Sequence, residues 1–181
     1  NIVYLVEDIV TSIVKYVEGK NIDLIFDTEF EEIILACDSE KIERIILNLI
    51  SNAVKFRKEN KGKIIISITH NDEFVNIRVK DNGIGISKNN IDKIFGKYVR
   101  LNDERSIIKE GTGIGLSLVK SLVKLHDGEV TVDSEIGKWT EFNIKIPNRT
   151  SIKESIDTYE KDLDRVEKIR IEFSDIYELY S

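Results

Sequence analysis

The sequence is poor in several residues that mark particular classes of protein. Its 181 residues include one cysteine, one proline, one tryptophan and no methionine. Cys37 has no partner for an internal disulfide, and we expect it to be a small buried apolar side chain rather than a reactive thiol. No run of about 20 apolar residues could span a membrane, and no secretory signal opens the chain. We therefore expect a cytoplasmic location, and the absence of methionine even at position 1 leads us to expect a piece of a longer protein.

The composition that remains is typical of a folded domain. Hydrophobic residues make up 41% of the chain, which is typical of a soluble globular protein. The net charge of −6 disfavours a nucleic acid partner, because phosphate backbones bind basic surfaces. Pro147, the only proline, marks the predicted end of a core domain over 1–147. The extension over 148–181 contains a predicted helix over 152–163 and a predicted added strand over 166–173, which would cover a sheet edge.

Hydrophobic periodicity predicts the elements of the core domain. Apolar spacings of three and four residues predict helices over 1–20, 38–56, 90–98 and 112–126. Asp38 or Ser39 can cap the second of these helices. Alternating or β-branched runs predict strands over 22–26, 33–36, 63–69, 74–80, 129–134 and 140–146. Residues 70–73 are predicted to form a hairpin turn, and the polar stretch over 99–110 is predicted to be a mobile loop.

Four separated segments carry polar or glycine-rich patterns, and the first is NLISNAVKF, from Asn48 to Phe56. On a helix, Asn48, Asn52 and Lys55 share one face, opposite the isoleucines. An amide oxygen of Asn52 can ligate Mg²⁺, and Lys55 can meet a phosphate as a point charge. A solvated polar face would give the same pattern.

The second segment, DNGIGI, runs from Asp81 to Ile86 after a predicted strand. The Asp81 carboxylate can accept a hydrogen bond from an exocyclic amine such as that of adenine. Gly83 and Gly85 let the backbone approach a flat base closely. An ordinary Asn-Gly turn at the end of a strand is the alternative.

The third and fourth segments lie on either side of the predicted loop. Phe95 and Tyr98 are spaced as core anchors that would also hinge the loop after them. In GTGIGLS, Gly111, Gly113 and Gly115 open a predicted helix. A helix N-terminus offers unpaired N–H groups and partial positive charge to a phosphate chain, whereas a flexible linker is the alternative.

Other common sites are disfavoured by their missing patterns. The sequence has no P-loop, and the Gly111 segment follows a loop with a spacing unlike that of the dinucleotide fold. No histidine and cysteine cluster suits zinc, and no serine lies in a nucleophile elbow.

Taken in this order, the four segments resemble the N, G1, F and G2 boxes of the histidine kinase catalytic domain. That domain is a branch of the Bergerat-type (GHKL) ATPase superfamily, which includes gyrase, mismatch-repair and chaperone ATPases. The resemblance covers about 1–147 and extends to HDG at 126–128 and GKWTEF at 137–142. It implies an α+β fold, a two-layer sandwich in which a mixed, mostly antiparallel sheet packs on about three helices.

The resemblance also implies ATP and Mg²⁺ as cofactors and gives roles to matching positions. Asn52 would ligate Mg²⁺, while Asn48 and Lys55 would contact the phosphates or their water shell. Asp81 would bind the adenine amine. Further nucleotide contacts are expected from Gly83, Gly85, Tyr98, Gly111, Thr112, Gly113, Gly115, Leu116 and Thr140. Candidates for the γ-phosphate, which the sequence does not rank, are Lys109, Arg105 and Arg100.

The implied function is that of a sensor kinase domain that delivers the γ-phosphate to a histidine outside this chain. His70 and His126 do not match the family's acceptor, and Trp139 stands where the family usually has glycine. A hydrolase of the gyrase or chaperone type is the alternative, but Asn48 stands where those relatives place a glutamate. A regulatory nucleotide-binding module and a serine kinase acting on a protein partner also remain open.

The implied partners are the dimerisation domain of the same protein and a response regulator receiver domain. We expect no nucleic acid partner and no membrane contact by this segment, although many intact members of the family are anchored in the cell membrane. The segment itself is expected to be monomeric, and the intact protein a homodimer.

Overall fold

A computed structural model describes residues 1–58, 61–96 and 113–150 of the protein. In chain order the elements are α1 (Ile2–Gly19), β1 (Ile22–Thr28), α2 (Ser39–Lys55), β2 (Gly62–His70), β3 (Phe74–Asp81), α3 (Lys88–Ile91), α4 (Gly115–Leu125), β4 (Glu129–Glu135) and β5 (Trp139–Pro147). The first two predicted helices, the predicted hairpin and the two closing strands are confirmed, with small shifts at their ends.

The five strands form one sheet in the order β1-β2-β3-β5-β4. Strands β1 and β2 are parallel, and the other neighbouring pairs are antiparallel. A parallel pair needs a long crossover, and α2 lies within that connection. The sheet is therefore mixed and mostly antiparallel, as predicted.

One face of the sheet, here called the inner face, contributes to the hydrophobic core. Two of its cross-strand rows are entirely apolar: Ile66, Val79, Phe142 and Val132, then Ile68, Ile77, Ile144 and Val130. Paired residues project to the same side of a sheet, and these rows pack against the buried stripes of α1, α2 and α4. Each fully buried side chain of this size contributes about 1.5–3 kcal/mol. The result is the predicted two-layer α+β architecture.

Hydrogen bonds connect the start of α2 to the end of α4, at the end of the sheet where β3 begins. The Asp38 side chain caps α2 by accepting a hydrogen bond from the Lys41 N–H at 3.1 Å. The backbone N–H of Asp38 donates to Nε2 of His126 at 3.1 Å, and Nδ1 of His126 lies 2.9 Å from the Leu122 carbonyl. Because Nε2 accepts, Nδ1 carries the hydrogen and donates. Both ring nitrogens are engaged, which supports the expectation that His126 is not a phosphate acceptor.

The predicted strand over 33–36 is wrong. This segment makes isolated backbone bonds, from Ile2 N–H to the Ile33 carbonyl (2.9 Å) and from Ala36 N–H to the Arg149 carbonyl (2.6 Å), and joins no strand ladder. Its alternation has another cause, because Ile33 and Leu35 are buried in the core from an irregular connection. Periodicity reports burial, and here burial occurs without pairing.

Two helix predictions are partly wrong. The short helix predicted over 90–98 is instead α3, Lys88–Ile91, and 92–95 form turns. The helix predicted over 112–126 begins only at Gly115. Gly113 has φ +70°, a left-handed conformation that a right-handed helix cannot contain.

Other predictions fall outside the described residues: the loop over 99–110, the helix over 152–163 and the strand over 166–173. Within the described ranges, no helix combines the length and the apolar character that a bilayer crossing requires. Cys37 is half-buried against the core, and burial raises the pKa of its thiol. That environment favours the apolar role expected for this residue.

Candidate functional site

The inner face of the sheet changes character at one end. Its last cross-strand row consists of Ile64, Asp81, Thr140 and Ser134. The two preceding rows on the same strands are wholly apolar, so a carboxylate and two hydroxyls stand at the edge of the core. We call Asp81, Thr140 and Ser134 the polar row.

Asp81 is held in a partly desolvated position at the end of β3. Its Oδ1 accepts a hydrogen bond from the Gly83 N–H at 2.7 Å. Burial raises the pKa of the Asp81 carboxyl to about 6, against the opposing effects of this bond and of the Lys58 charge. Its other oxygen, Oδ2, accepts no hydrogen bond from the described residues. This oxygen can therefore accept a hydrogen bond from a ligand bound beside the polar row.

The loop from Asn82 to Ile86 is fixed at three points. The Ile84 N–H donates to the Phe56 carbonyl at 3.0 Å, and the Ile84 carbonyl accepts from the Gly137 N–H at 2.6 Å. The Ile86 N–H donates to the Ser134 hydroxyl at 2.8 Å. The loop is thereby clamped between the end of α2 and the β4–β5 hairpin.

Both glycines of this loop are required by the protein's own backbone. A Cβ on Gly83 would lie 2.4 Å from the Phe56 carbonyl oxygen. A Cβ on Gly85 would lie 2.2 Å from the Glu135 carbonyl oxygen, and Gly85 also has φ +69°. Both glycines therefore allow a close approach of neighbouring backbone, and the predicted approach to a flat base stays a prediction.

Asn48, Asn52 and Lys55 lie on α2, as the helical spacing predicted, and all three are partly buried. The Asn48 amide donates from Nδ2 to the Arg44 carbonyl at 2.9 Å. The Asn52 side chain has a buried Nδ2 with no hydrogen-bond partner in the part of the chain that the structure describes. A buried amide nitrogen without a partner is costly, so the described residues leave one donor of Asn52 unsatisfied.

Helix α4 begins against the same face of α2. Its N-cap position is Ile114, which provides no side-chain hydrogen bond to the first turn. A Cβ on Gly115 would lie 2.7 Å from Oδ1 of Asn48. Glycine thus lets the open N-terminus of α4 come next to the amides of α2, while Leu116 packs against the core. Unpaired helical N–H groups, with the partial positive charge of the helix end, favour an anion there.

The structure brings together most of the described residues that the sequence predicted. Asp81 and Thr140 are directly paired across β3 and β5, Gly83 and Gly85 shape the adjoining loop, and Asn48 contacts the start of α4 at Gly115. The remaining predicted contacts lie outside the described residues: Tyr98, Arg100, Arg105, Lys109, Gly111 and Thr112.

Sequence reasoning missed Ser134 and the structural role of Asn82. The Asn82 side chain accepts from the Lys63 N–H at 2.8 Å and donates to the Lys61 carbonyl at 3.2 Å, which ties the loop to the start of β2. The hydroxyl groups of Ser134 and Thr140 lie 3.2 Å apart because β4 pairs with β5. A polar residue at an inward position of a strand was the one signal that could have revealed it.

The site offers few ligands for a metal ion. Over 1–58, 61–96 and 113–150, no group of three or more histidine, cysteine or acidic residues could hold one. A cation bound here would need most of its ligands from a bound molecule and from water.

Comparison with known proteins gives the family. The sequence profile described as histidine kinase-, DNA gyrase B-, and HSP90-like ATPase matches residues 37–150. The sensor histidine kinase WalK of Bacillus subtilis (strain 168) is 34% identical over 130 residues, which are 71% of this chain and 21% of WalK. The sensor histidine kinase RppB of Synechocystis is 32% identical over 143 residues, 79% of this chain and 31% of RppB. The chain thus spans between about a fifth and a third of these curated relatives.

Solved structures agree with the sequence relatives. The catalytic domain of the histidine kinase ThkA, in a nucleotide-free form, is similar with a TM-score of 0.71 and 26% identity, covering 82% of this chain and 95% of that one. Full-length ShkA in complex with AMPPNP gives a TM-score of 0.72 and 25% identity, covering 83% of this chain and 31% of ShkA. With a profile match over more than half of its residues, the chain belongs to the histidine kinase-, DNA gyrase B- and HSP90-like ATPase family and carries its ATP-binding domain.

Proposed function

We propose that this domain binds Mg-ATP and delivers the γ-phosphate to a histidine on a dimerisation domain, as part of a sensor histidine kinase. One observation supports this above the others. Helix α4 begins beside Asn48 on the amide face of α2, and the loop that follows Asp81 is bonded to Phe56 at the end of the same helix, although these segments are far apart in the sequence. An anion site beside a carboxylate that accepts from an amine suits an adenine nucleotide.

The purine end of the site is assigned to the polar row and its loop. Asp81 would accept a hydrogen bond from the exocyclic amine of adenine through its unused oxygen, with Thr140 beside it. Gly83 and Gly85 hold the loop that carries this carboxylate in its clamped conformation.

The phosphate end is assigned to the two helices. Gly113 precedes α4, and Gly115 and Leu116 begin it; the N–H groups of this helix start would bind phosphate oxygens. Asn48 and Lys55 would contact the phosphates or their water shell from α2. The γ-phosphate would be met by one of Lys109, Arg105 and Arg100, and Tyr98, Gly111 and Thr112 would complete the lid.

The residues present suit Mg²⁺ when it arrives with a nucleotide. Asn52 offers the oxygen of its side-chain amide from α2, and Mg²⁺ takes oxygen ligands while keeping waters and phosphate oxygens in its shell. When bound, the ion would neutralise charge on the phosphates. The part of the protein in that step is to hold the Asn52 amide in place on a buried helix.

Transfer to a protein side chain is favoured over direct hydrolysis by the chemistry of α2. Hydrolysis of the gyrase or chaperone type needs a carboxylate that activates water, and residues 48–56 contain none. An amide such as Asn48 is a poor general base. A GHKL-type hydrolase and a regulatory nucleotide-binding module are therefore the second candidates.

The partners follow from the same proposal. The histidine kinase ThkA has been solved in complex with the response regulator TrrA, and we propose a receiver domain of that kind as the downstream partner. The dimerisation domain of the same protein would supply the acceptor histidine within a homodimer. We place the catalytic domain at 1–147 and an extension at 148–181.

Calorimetry with ATP and Mg²⁺ tests the nucleotide half of the proposal. The chain should bind Mg-ATP, and its melting temperature should rise with nucleotide concentration, because the ligand binds only the folded state. Absence of heat from a folded sample would contradict the proposal.

Radiolabel transfer tests the kinase half. Given γ-labelled ATP, the chain alone should take up no phosphate, whereas a histidine-bearing dimerisation domain from the same protein should acquire an acid-labile phosphate. Label on this chain alone, or phosphate release without transfer, would favour another member of the family.

A further inference from the structure

Ser134 is the most densely bonded side chain beside the proposed base site. Its Oγ donates to the Trp139 carbonyl at 2.7 Å and accepts from the Ile86 N–H at 2.8 Å. It also lies 3.2 Å from the hydroxyl oxygen of Thr140. One hydroxyl of β4 therefore joins the clamped loop, the hairpin strand β5 and the polar row.

These contacts determine the direction of the Thr140 hydroxyl. A serine hydroxyl has one hydrogen, and the Trp139 carbonyl can only accept, so the Ser134 hydrogen is committed to it. Since the Ile86 N–H also donates to Ser134, the remaining contact is satisfied only when Thr140 donates to Ser134. The lone pairs of Thr140 are then what it presents to its other neighbours.

The consequence is a pair of adjacent acceptors, on Thr140 and on Asp81. Thr140 is buried and directly paired with Asp81, and Asp81 has its own unused carboxylate oxygen. Two adjacent acceptors match the two hydrogens of one exocyclic amino group. A carbonyl at the same place would bring an acceptor against acceptors and leave buried groups unpaired, which is costly.

We propose that Ser134 is a positioning residue for base selection: by holding the Thr140 hydrogen away from the pocket, it makes the polar row specific for a 6-amino purine over a 6-oxo purine. This inference rests on the proposed nucleotide site and extends it to a residue that does not itself touch the base. Without Ser134, the Thr140 hydroxyl can rotate and donate into the pocket, where it would accept a 6-oxo base.

The test compares nucleotides that differ only around position 6. Dissociation constants are measured by calorimetry for ATP, inosine triphosphate and purine riboside triphosphate, with the wild type and Ser134→Ala. The preference for ATP over inosine triphosphate should fall by about threefold to tenfold in Ser134→Ala, the worth of one hydrogen bond. If Ser134 had a purely structural role, Ser134→Ala would weaken the binding of all three nucleotides equally. Unchanged ratios of their dissociation constants would therefore overturn the inference.

Two further variants separate positioning from damage. Ser134→Thr retains the hydroxyl and should therefore keep the wild-type preference for ATP over inosine triphosphate. In a Thr140→Val background there is no hydroxyl to orient, so adding Ser134→Ala should leave the ratio where Thr140→Val set it. An additive loss in the double variant would contradict the proposal.

Circular dichroism melts show which variants are folded. If Ser134→Ala does not fold, Ser134→Cys replaces the hydroxyl with a weak donor of similar shape and carries the same expectation. The wild type separates the two proposals. If it binds no adenine nucleotide, the proposed function fails; if it prefers ATP and the Ser134 variants keep that preference, only the role of Ser134 fails.

Discussion

Two adjacent cross-strand rows on the inner face of the sheet differ in residue type and in their effect on folding. Ile66, Val79 and Phe142 are fully packed, while one row further along the same strands the polar row holds a carboxylate and two hydroxyls. The apolar row contributes to folding by burial. The polar row instead places a partly desolvated carboxylate at the edge of the core, which makes folding less favourable. In the proposed function, this carboxylate serves to bind the ligand. Stability and recognition are thus separated by one row of a sheet.

Removing a side chain from the apolar row should have the largest effect on stability. Ile66→Ala should lower the free energy of unfolding by about 2–5 kcal/mol, because a fully buried side chain leaves a cavity. Urea unfolding measures this loss. Nucleotide affinity of the folded fraction should be nearly unchanged, and a large loss of affinity would break the separation between the two rows.

Gly85→Ala tests the backbone support of the polar row. The new Cβ would meet the Glu135 carbonyl oxygen at 2.2 Å in a left-handed residue, and we expect a loss of about 2–4 kcal/mol. Gly137→Ala is the matched control, because Gly137 is also left-handed, with φ +77°, but has nothing within 4 Å of the added atom. It should lose about 1–2 kcal/mol. Equal losses in urea unfolding would mean that the clash is relieved by movement of the hairpin.

Asp81→Asn should act in opposite directions on affinity and stability. Adenine nucleotide binding should become too weak to measure, while the unliganded domain gains about 1–2 kcal/mol, because a desolvated carboxylate is replaced by a neutral amide. The new side chain can still accept from the Gly83 N–H. Calorimetry and urea unfolding on one sample measure both effects, and unchanged affinity would remove Asp81 from the site.

The pH dependence of the unliganded domain should show the same cost on a smaller scale. The pKa of Asp81 is raised from its ordinary value of 3.8 to about 6 on folding, so the folded state binds this proton more tightly than the unfolded state. The penalty therefore accumulates as the pH rises from about 4 to 6 and is complete above that. Between pH 7 and 5, the stability difference between Asp81→Asn and wild type should shrink by about 1 kcal/mol. A constant difference would show that the carboxyl is not desolvated.

Local signals made much of the fold predictable from the sequence. The isoleucine stripe of α2 and its Asp38 cap lie within one continuous segment, as do the strands and turn of the β2–β3 hairpin. The paired positions of distant strands leave no such signal, and this is why Ser134 was missed although it is bonded to Thr140. The 33–36 segment failed for the complementary reason, because its alternate residues are buried without a strand partner.

The candidate site was predicted unevenly for physical reasons. Asp81 and the α2 amides stand out because polar groups interrupt apolar periods. Gly85 was recognised, but its crowding against Glu135 depends on a hairpin about 50 residues away and was invisible in the sequence. The start of α4 was placed too early because the left-handed conformation of Gly113 is a backbone property that residue type alone does not specify.

The 33–36 segment has a mechanical consequence. It is bonded to Ile2 at one end of the described chain and to Arg149 at the other, and both contacts lie at the end of the sheet opposite the polar row. The segment therefore links the start of α1 to the residues that follow β5, on the side away from the polar row.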